Sequence, residues 1–164
     1  MRLRPYADAD LGLTRRLESD PGVVGHLGGA GDEEHAAQVH QRRLAGVADG
    51  DLYYVIEPED AGPVGLIAIW RSEFEGRAVH ELGAMLLPDF QARGVAGAAF
   101  DRLLPLAVAR GVRVLHAFPA VGNGPSNAIL HKLGFTRGVD CDLDYEGRPL
   151  RCAHWQRDLA APAP

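Results

Sequence analysis

A run of six residues, Gln91-Ala92-Arg93-Gly94-Val95-Ala96, constrains this chain more than any other feature. It follows an apolar stretch that ends at Leu86-Leu87-Pro88 and leads into a helix-like stretch from Ala98 to Arg110. A strand, a glycine turn and a helix start, in that order, make a place where several backbone N–H groups point at one spot. The first N–H groups of a helix have no partner within it, and the helix dipole adds to their positive potential. Such a junction binds phosphate without needing a side chain. Residues 91–137 also hold six basic side chains (Arg93, Arg102, Arg110, Arg113, Lys132, Arg137) against one acid, Asp101, a local balance of +5 in a chain of net charge −5. A positive field around that turn suits a polyanionic ligand, and the acidic remainder suits a cationic or amine-bearing partner. The overall negative charge speaks against general nucleic-acid binding.

At 164 residues the chain is expected to form one domain over 1–159, with 160–164 as a tail. Its longest apolar runs are too short to span a bilayer and its Met1 end is charged, so no membrane contact and a cytoplasmic location are expected. Cys141 and Cys152 match no metal or disulfide framework. They lie symmetrically about Glu146-Gly147, so reduced thiols facing each other across a hairpin are expected.

Strands are expected at Met1–Pro5, Leu52–Ile56, Val64–Trp70, Ala78–Leu87, Val112–Phe118, Asp140–Tyr145 and Arg148–Trp155. Helices are expected from Asp8 or Asp10 to about Ser19, from Asp32 with Val39, Leu44 and Val47 on the apolar side, after the Gln91 turn, and at Pro125–Leu133. Gly25–Gly31 reads as a loop and Arg71–Arg77 as a charged turn. The sum is one mixed sheet with helices on both faces.

A second segment, Asn123-Gly124-Pro125-Ser126 running into Lys132-Leu133-Gly134-Phe135, adds to the glycine turn. Together the two resemble the GNAT acyltransferases, whose Gln/Arg-x-x-Gly-x-Gly/Ala loop holds the pyrophosphate of coenzyme A. Gln91, Gly94 and Ala96 occupy the three defining places, Ala96 replacing the more usual second glycine. Leu3-Arg4-Pro5, Leu27-Gly28-Gly29 and Asn-x-x-Ser before Lys-Leu-Gly-Phe make the chain similar to the RimJ/RimL-type branch of ribosomal-protein-alanine/serine N-acetyltransferases. The resemblance covers nearly the whole chain and thins after Arg137.

It implies an α/β (α+β) domain with a mixed, mostly antiparallel twisted sheet of about seven strands, the fourth and fifth splayed apart. It also implies acetyl-CoA as co-substrate, no metal, a small-molecule or peptide N-terminal amine as acceptor, and a possible homodimer. The junction of the first two helices would form one wall of the acceptor pocket. Backbone groups of Met85, Leu86 and Leu87 would pair with the pantetheine arm as though it were another strand. Gln91, Ala92, Arg93, Gly94, Val95, Ala96 and Gly97 would hold the phosphates, with Asn123 on the pantetheine arm and Lys132 as a further cofactor contact.

Acyl transfer to an amine needs a held thioester, a neutral amine, a polarised carbonyl and a proton for the departing sulfur. Glu81, on the strand that ends at Leu87, matches the place of a catalytic glutamate in some family members. It either takes the ammonium proton or binds the ammonium without moving protons. Strand parity puts His80 on the opposite face. Ser126 either protonates the sulfur or caps a helix. Many relatives carry a tyrosine where this chain has Leu130, so solvent is a further proton source. His116 and the aromatic residues Tyr53, Tyr54, Trp70 and Trp155 either line the acceptor site or belong to the core. Two alternatives stand beside acetyl transfer: a non-catalytic acyl-CoA-binding or regulatory module, and transfer of another acyl group such as succinyl.

Overall fold

The apolar run Gly65-Leu66-Ile67-Ala68-Ile69 is buried along its whole length, which a strand satisfies when both faces of its sheet are covered. The computed structural model, which describes residues 1–145 and 147–160, sets this strand inside a seven-stranded sheet. The strands are β1 (Arg2–Pro5), β2 (Leu52–Glu57), β3 (Gly65–Phe74), β4 (Arg77–Leu86), β5 (Val114–Ala117), β6 (Thr136–Tyr145) and β7 (Arg148–Asp158), in the order β1-β2-β3-β4-β5-β7-β6. Every neighbouring pair is antiparallel except β4 and β5, which are parallel. The α-helices are α1 (Leu11–Ser19), α2 (Pro21–Val24), α3 (Glu33–Ala48), α4 (Val95–Ala109) and α5 (Gly124–Lys132). Among the described residues no helix is long and apolar enough to cross a membrane.

Alternate residues of a strand point to opposite faces, and the two faces here carry separate cores. Phe100, Leu103 and Ala107 of α4 and Leu130 of α5 pack on Ile56, Ile67, Ile69, Leu82, Leu86 and Leu115. Leu13 and Leu17 of α1 pack with Tyr6, Val55, Leu66 and Leu87 on the other face, where Leu44 and Val47 of α3 join them. Asp32 caps α3 as expected, its Oδ1 accepting from the His35 N–H at 2.8 Å.

Three stretches differ from the sequence expectation. Arg71–Arg77 is not a turn: β3 runs on to Phe74 and β4 starts at Arg77. The turn is only Glu75-Gly76, both with positive φ (51° and 72°), as a two-residue hairpin loop matched to strand twist requires. The charges that suggested a turn, Arg71 and Glu73, are the outward positions of an alternating strand. A short helix, α2, precedes the glycine loop, with Asp20 Oδ1 accepting from the Gly22 N–H. β6 begins four residues early and carries an irregularity between Arg137 and Asp140. Cys141 and Cys152 are register partners with free thiols, and burial pushes the Cys152 thiol up to about 11. Glu146 of the expected turn and residues 161–164 of the expected tail lie outside the described residues.

Candidate active site

β4 and β5 are bridged only at His80↔Leu115 and Glu81↔His116. Beyond Glu81, β4 continues to Leu86 with no strand partner on that side among the described residues, so a gap opens between the two strands. The β3–β4 register decides which groups face it. The Leu87 N–H donates to Val64 O at 2.9 Å, so odd-numbered residues of β4 pair with β3 and even-numbered ones turn their N–H and C=O the other way. Of Met85, Leu86 and Leu87, only Leu86 therefore directs its amide into the gap, and Ala84 joins it. The Met85 side chain faces α3 instead, its Sδ 3.3 Å from Arg43 Nη2.

The glycine turn sits at the far end of this gap. Gln91 Nε2 donates to Leu86 O (2.8 Å) and to Gly22 O (3.1 Å), tying the turn to the end of β4 and to α2. Its side chain is thus a brace for the turn. Ala92 (φ 56°) and Gly94 (φ 76°) are left-handed, and Gly94 is the N-cap residue of α4 with no side-chain cap. An alanine in that conformation is strained, and such strain gathers at functional turns. The first helical bond of α4 runs from the Ala98 N–H to Gly94 O, leaving the N–H groups of Val95, Ala96 and Gly97 without a helical acceptor. A Cβ built on Gly94 or Gly97 would meet nothing within 4 Å, so the space beside these two residues of the turn is open. The Arg93 guanidinium, 6.0 Å from the centre of the Phe90 ring, belongs to the turn itself. Uncapped amides, open space and a basic flank are what a diphosphate needs.

At the start of α5, Asn123 Oδ1 accepts from the Ser126 N–H at 3.1 Å, so Asn123 is the cap and Ser126 lies one turn inside, half-buried. Asn127 holds this segment: its Nδ2 donates to Ala120 O and Asn123 O, and its Oδ1 accepts from Trp155 Nε1 at 2.8 Å. Leu130 is core. Lys132 is exposed in the last turn of α5, at the opposite end of that helix from Asn123.

Glu81 faces the α1–α3 side of the sheet. Trp70 stands opposite it on β3 and stacks on Tyr53 with ring centroids 6.3 Å apart. Gly83 makes this possible, since a Cβ there would meet the Trp70 ring at 2.9 Å. Burial pushes the Glu81 carboxyl above the ordinary range, against a hydrogen bond from Ser72. Beneath β4, Arg43 is buried with its Nη2 2.6 Å from Glu18 Oε1 and its Nη1 3.0 Å from Thr14 Oγ1. Tyr6 bonds both Thr14 Oγ1 and His40 Nδ1, completing a polar network between α1, α3 and the sheet. Sequence reading missed Arg43 and Glu18, because no local spacing links two residues 25 apart. Glu18 also borders an open cavity of about 310 Å³, lined by Gly28 and Asp32 of the glycine loop, His35 of α3, and Tyr145 and Arg148 of the β6–β7 hairpin. Arg148 Nη1 donates to Gly28 O at 2.8 Å and so ties that hairpin to the loop.

The sequence profile of the Acetyltransferase (GNAT) domain matches residues 1–136. The chain belongs to the GNAT family. An uncharacterized N-acetyltransferase from Methanocaldococcus jannaschii is 32% identical over 91 residues, 53% of this chain. That match spans 40% of the relative's own length. The ribosomal-protein-alanine N-acetyltransferase of Brucella melitensis superposes with a TM-score of 0.74 at 24% identity, over 96% of this chain and 99% of its own. A phosphinothricin acetyltransferase from Sinorhizobium meliloti, solved with AcCoA, gives 0.76 at 22% identity over 99% and 92%. At these identities the two structures establish the fold. The GNAT assignment agrees with the seven-stranded sheet whose single parallel pair, β4 and β5, parts beyond Glu81.

Proposed function

We propose that this GNAT domain transfers an acetyl group from acetyl-CoA to a primary amine by direct attack within a ternary complex. The observation that carries the proposal is the adjacency of two features: the uncapped N–H groups of Val95, Ala96 and Gly97, and the gap beside Leu86, tied together through Gln91. The amides receive the diphosphate, with Arg93 alongside. The pantetheine arm lies in the gap against Ala84 and Leu86, and Asn123 bounds its far side. The Leu86 N–H then faces the thioester oxygen and stabilises the negative charge that develops there.

Glu81 takes the proton of the arriving ammonium, and its raised carboxyl is closer in basicity to that task than an ordinary glutamate. Ser126, half-buried one turn into α5, supplies the proton for the sulfur. The acceptor approaches from the α1–α3 face. The cavity between the glycine loop and the hairpin, which borders Glu18, accommodates the rest of a small amine or the first residues of a peptide. The cytoplasm, where acetyl-CoA is available, is the compartment this reading requires.

The test is thiol release from acetyl-CoA against small amines and lysine-free peptides, with products read by mass spectrometry. An acetylated amine is the expected outcome. Coenzyme A binding without thiol release for any amine would leave a binding module in place of an enzyme. Glu81→Gln should lower kcat by about 10²–10⁴-fold with coenzyme A affinity unchanged. Because the carboxylate is the active form, the wild-type rate should fall as pH drops through a value above the ordinary glutamate range. Unchanged kinetics in Glu81→Gln would remove Glu81 from the base role.

A further inference from the structure

On the face of the sheet that carries Glu81, four rings stand beyond the cover of α1 and α3. The ring planes of His116 of β5 and His154 of β7 are parallel within 6°, and the two are hydrogen-bonded, Nδ1 to Nε2, at 2.9 Å. Phe118 lies nearly parallel to both imidazoles, at 17° and 11°, with centroids 6.3 and 5.1 Å away. Phe74 tilts against the same pair from β3. His116 is also the register partner of Glu81, in the last bridge before β4 and β5 part. Partners in adjacent strands lie about 4.8 Å apart with side chains on one face. A fixed imidazole pair therefore stands beside Glu81 at the mouth of the gap.

We propose that His116 and His154 form a proton-accepting pair that serves Glu81, carrying the proton lost by the acceptor ammonium out to solvent. The proposal rests on the acetyl-transfer reading above. An ammonium has two protons to lose on becoming an amide. The first goes to the Glu81 carboxylate and frees the nitrogen lone pair. The C–N bond then forms, the C–S bond breaks, and the second proton ends on the departing sulfur. The proton held by Glu81 remains, and it must leave before another turnover. It passes to His116, is shared across the Nδ1···Nε2 contact, and departs to water from the half-exposed His154. The net reaction is ammonium plus thioester giving amide, thiol and one released proton.

The pair is suited to a transient proton. Two hydrogen-bonded imidazoles share one added proton well and resist a second. Desolvation holds both rings below the ordinary imidazole range, so they are neutral and receptive near neutral pH. Of the other titratable groups, Glu81 of β4 shares their face, while His80, on the opposite face of β4, and Glu75 of the β3–β4 turn act on them through their charge. Gly138 of β6 backs His154 without a side chain.

The experiment uses the full chain, with His154→Phe and His116→Phe chosen to keep a ring in the stack. Thiol release from acetyl-CoA is followed against pH with whichever of the small amines or peptides reacts fastest. In parallel, ¹⁵N-labelled protein reports the histidine titrations, and calorimetry reports coenzyme A affinity. Each variant should lose at least tenfold in kcat near pH 7 and shift the acid limb of the profile, with coenzyme A affinity unchanged. The two wild-type imidazoles should titrate as a coupled pair. Wild-type kcat and an unmoved acid limb in both variants would overturn the proposal, as would independent titration of the two rings. Thiol release from no amine, with coenzyme A still bound, would overturn the acetyl-transfer reading and the pair's role with it. Loss in the variants alone, with the wild type active and its two imidazoles coupled, would support both.

Discussion

Substitution of Gly94 separates the strain of the turn from its use as an anion site. Gly94 has φ 76°, and a Cβ there meets nothing within 4 Å. Gly94→Ala therefore carries only the left-handed backbone penalty of about 1–2 kcal/mol. In a domain of this size that lowers Tm by about 2–8 °C. Gly94→Asp carries the same penalty, offset by roughly 0.3–1 kcal/mol because an acid is favourable at a helix N-terminus. It should melt no lower than the alanine variant. The two part company with ligand. A carboxylate about 5 Å from a diphosphate of charge −2 opposes binding by about 1.7 kcal/mol at water's dielectric and about 6.6 kcal/mol at an effective value of 20. The corresponding affinity loss runs from roughly 20-fold to beyond 10⁴-fold. Calorimetry with coenzyme A at low salt should find Gly94→Ala weakened less than tenfold and Gly94→Asp at least 20-fold, the difference narrowing as salt is raised. A folded Gly94→Asp that binds within threefold of wild type would refute the anion-site reasoning.

Arg43→Met leaves Glu18 buried without its cation and should destabilise by about 3–5 kcal/mol, with the double change Arg43→Met/Glu18→Leu recovering most of it. Chemical denaturation reads both, and a single variant as stable as wild type would show that the pair contributes nothing. Asp10 is buried, which raises its carboxyl pKa, but hydrogen bonds from Arg4 and the Ala7 N–H outweigh this and hold it below the ordinary range. Its stabilising contribution is then fully present above about pH 4, the unfolded aspartate value, and is lost as pH falls through the lower folded value. Arg4→Gln should remove that part of the acid limb in denaturation measured across pH 2–5, and an identical acid limb in the variant would count against it.

Much of this fold is legible in the sequence because its signals are local. The apolar run around Ile67, the cap at Asp32 and the glycine turn at Gly94 each need only a few neighbouring residues to interpret. The Arg71–Arg77 stretch misled because alternating charge on an exposed strand and charge in a turn look alike until the partner strand is known. The site is less legible because its parts meet through topology. β7 inserts between β5 and β6, and only that order brings His154 to His116. The His154 position carried one faint signal: Ala153 and Trp155 on either side are core, so the histidine between them faces the other way. That Leu86, and not Met85 or Leu87, turns its amide away from β3 depends on the bonding parity of the β3–β4 register, which no composition reveals.

The central claim is that the amides at the start of α4 and the gap beside Leu86 hold one cofactor between them. A crystal structure with coenzyme A tests it most directly. Diphosphate oxygens within hydrogen-bonding distance of the Val95, Ala96 and Gly97 N–H groups, with the pantetheine arm running between β4 and β5, is the expected result. Coenzyme A seated elsewhere, with those three amides facing solvent, would contradict it.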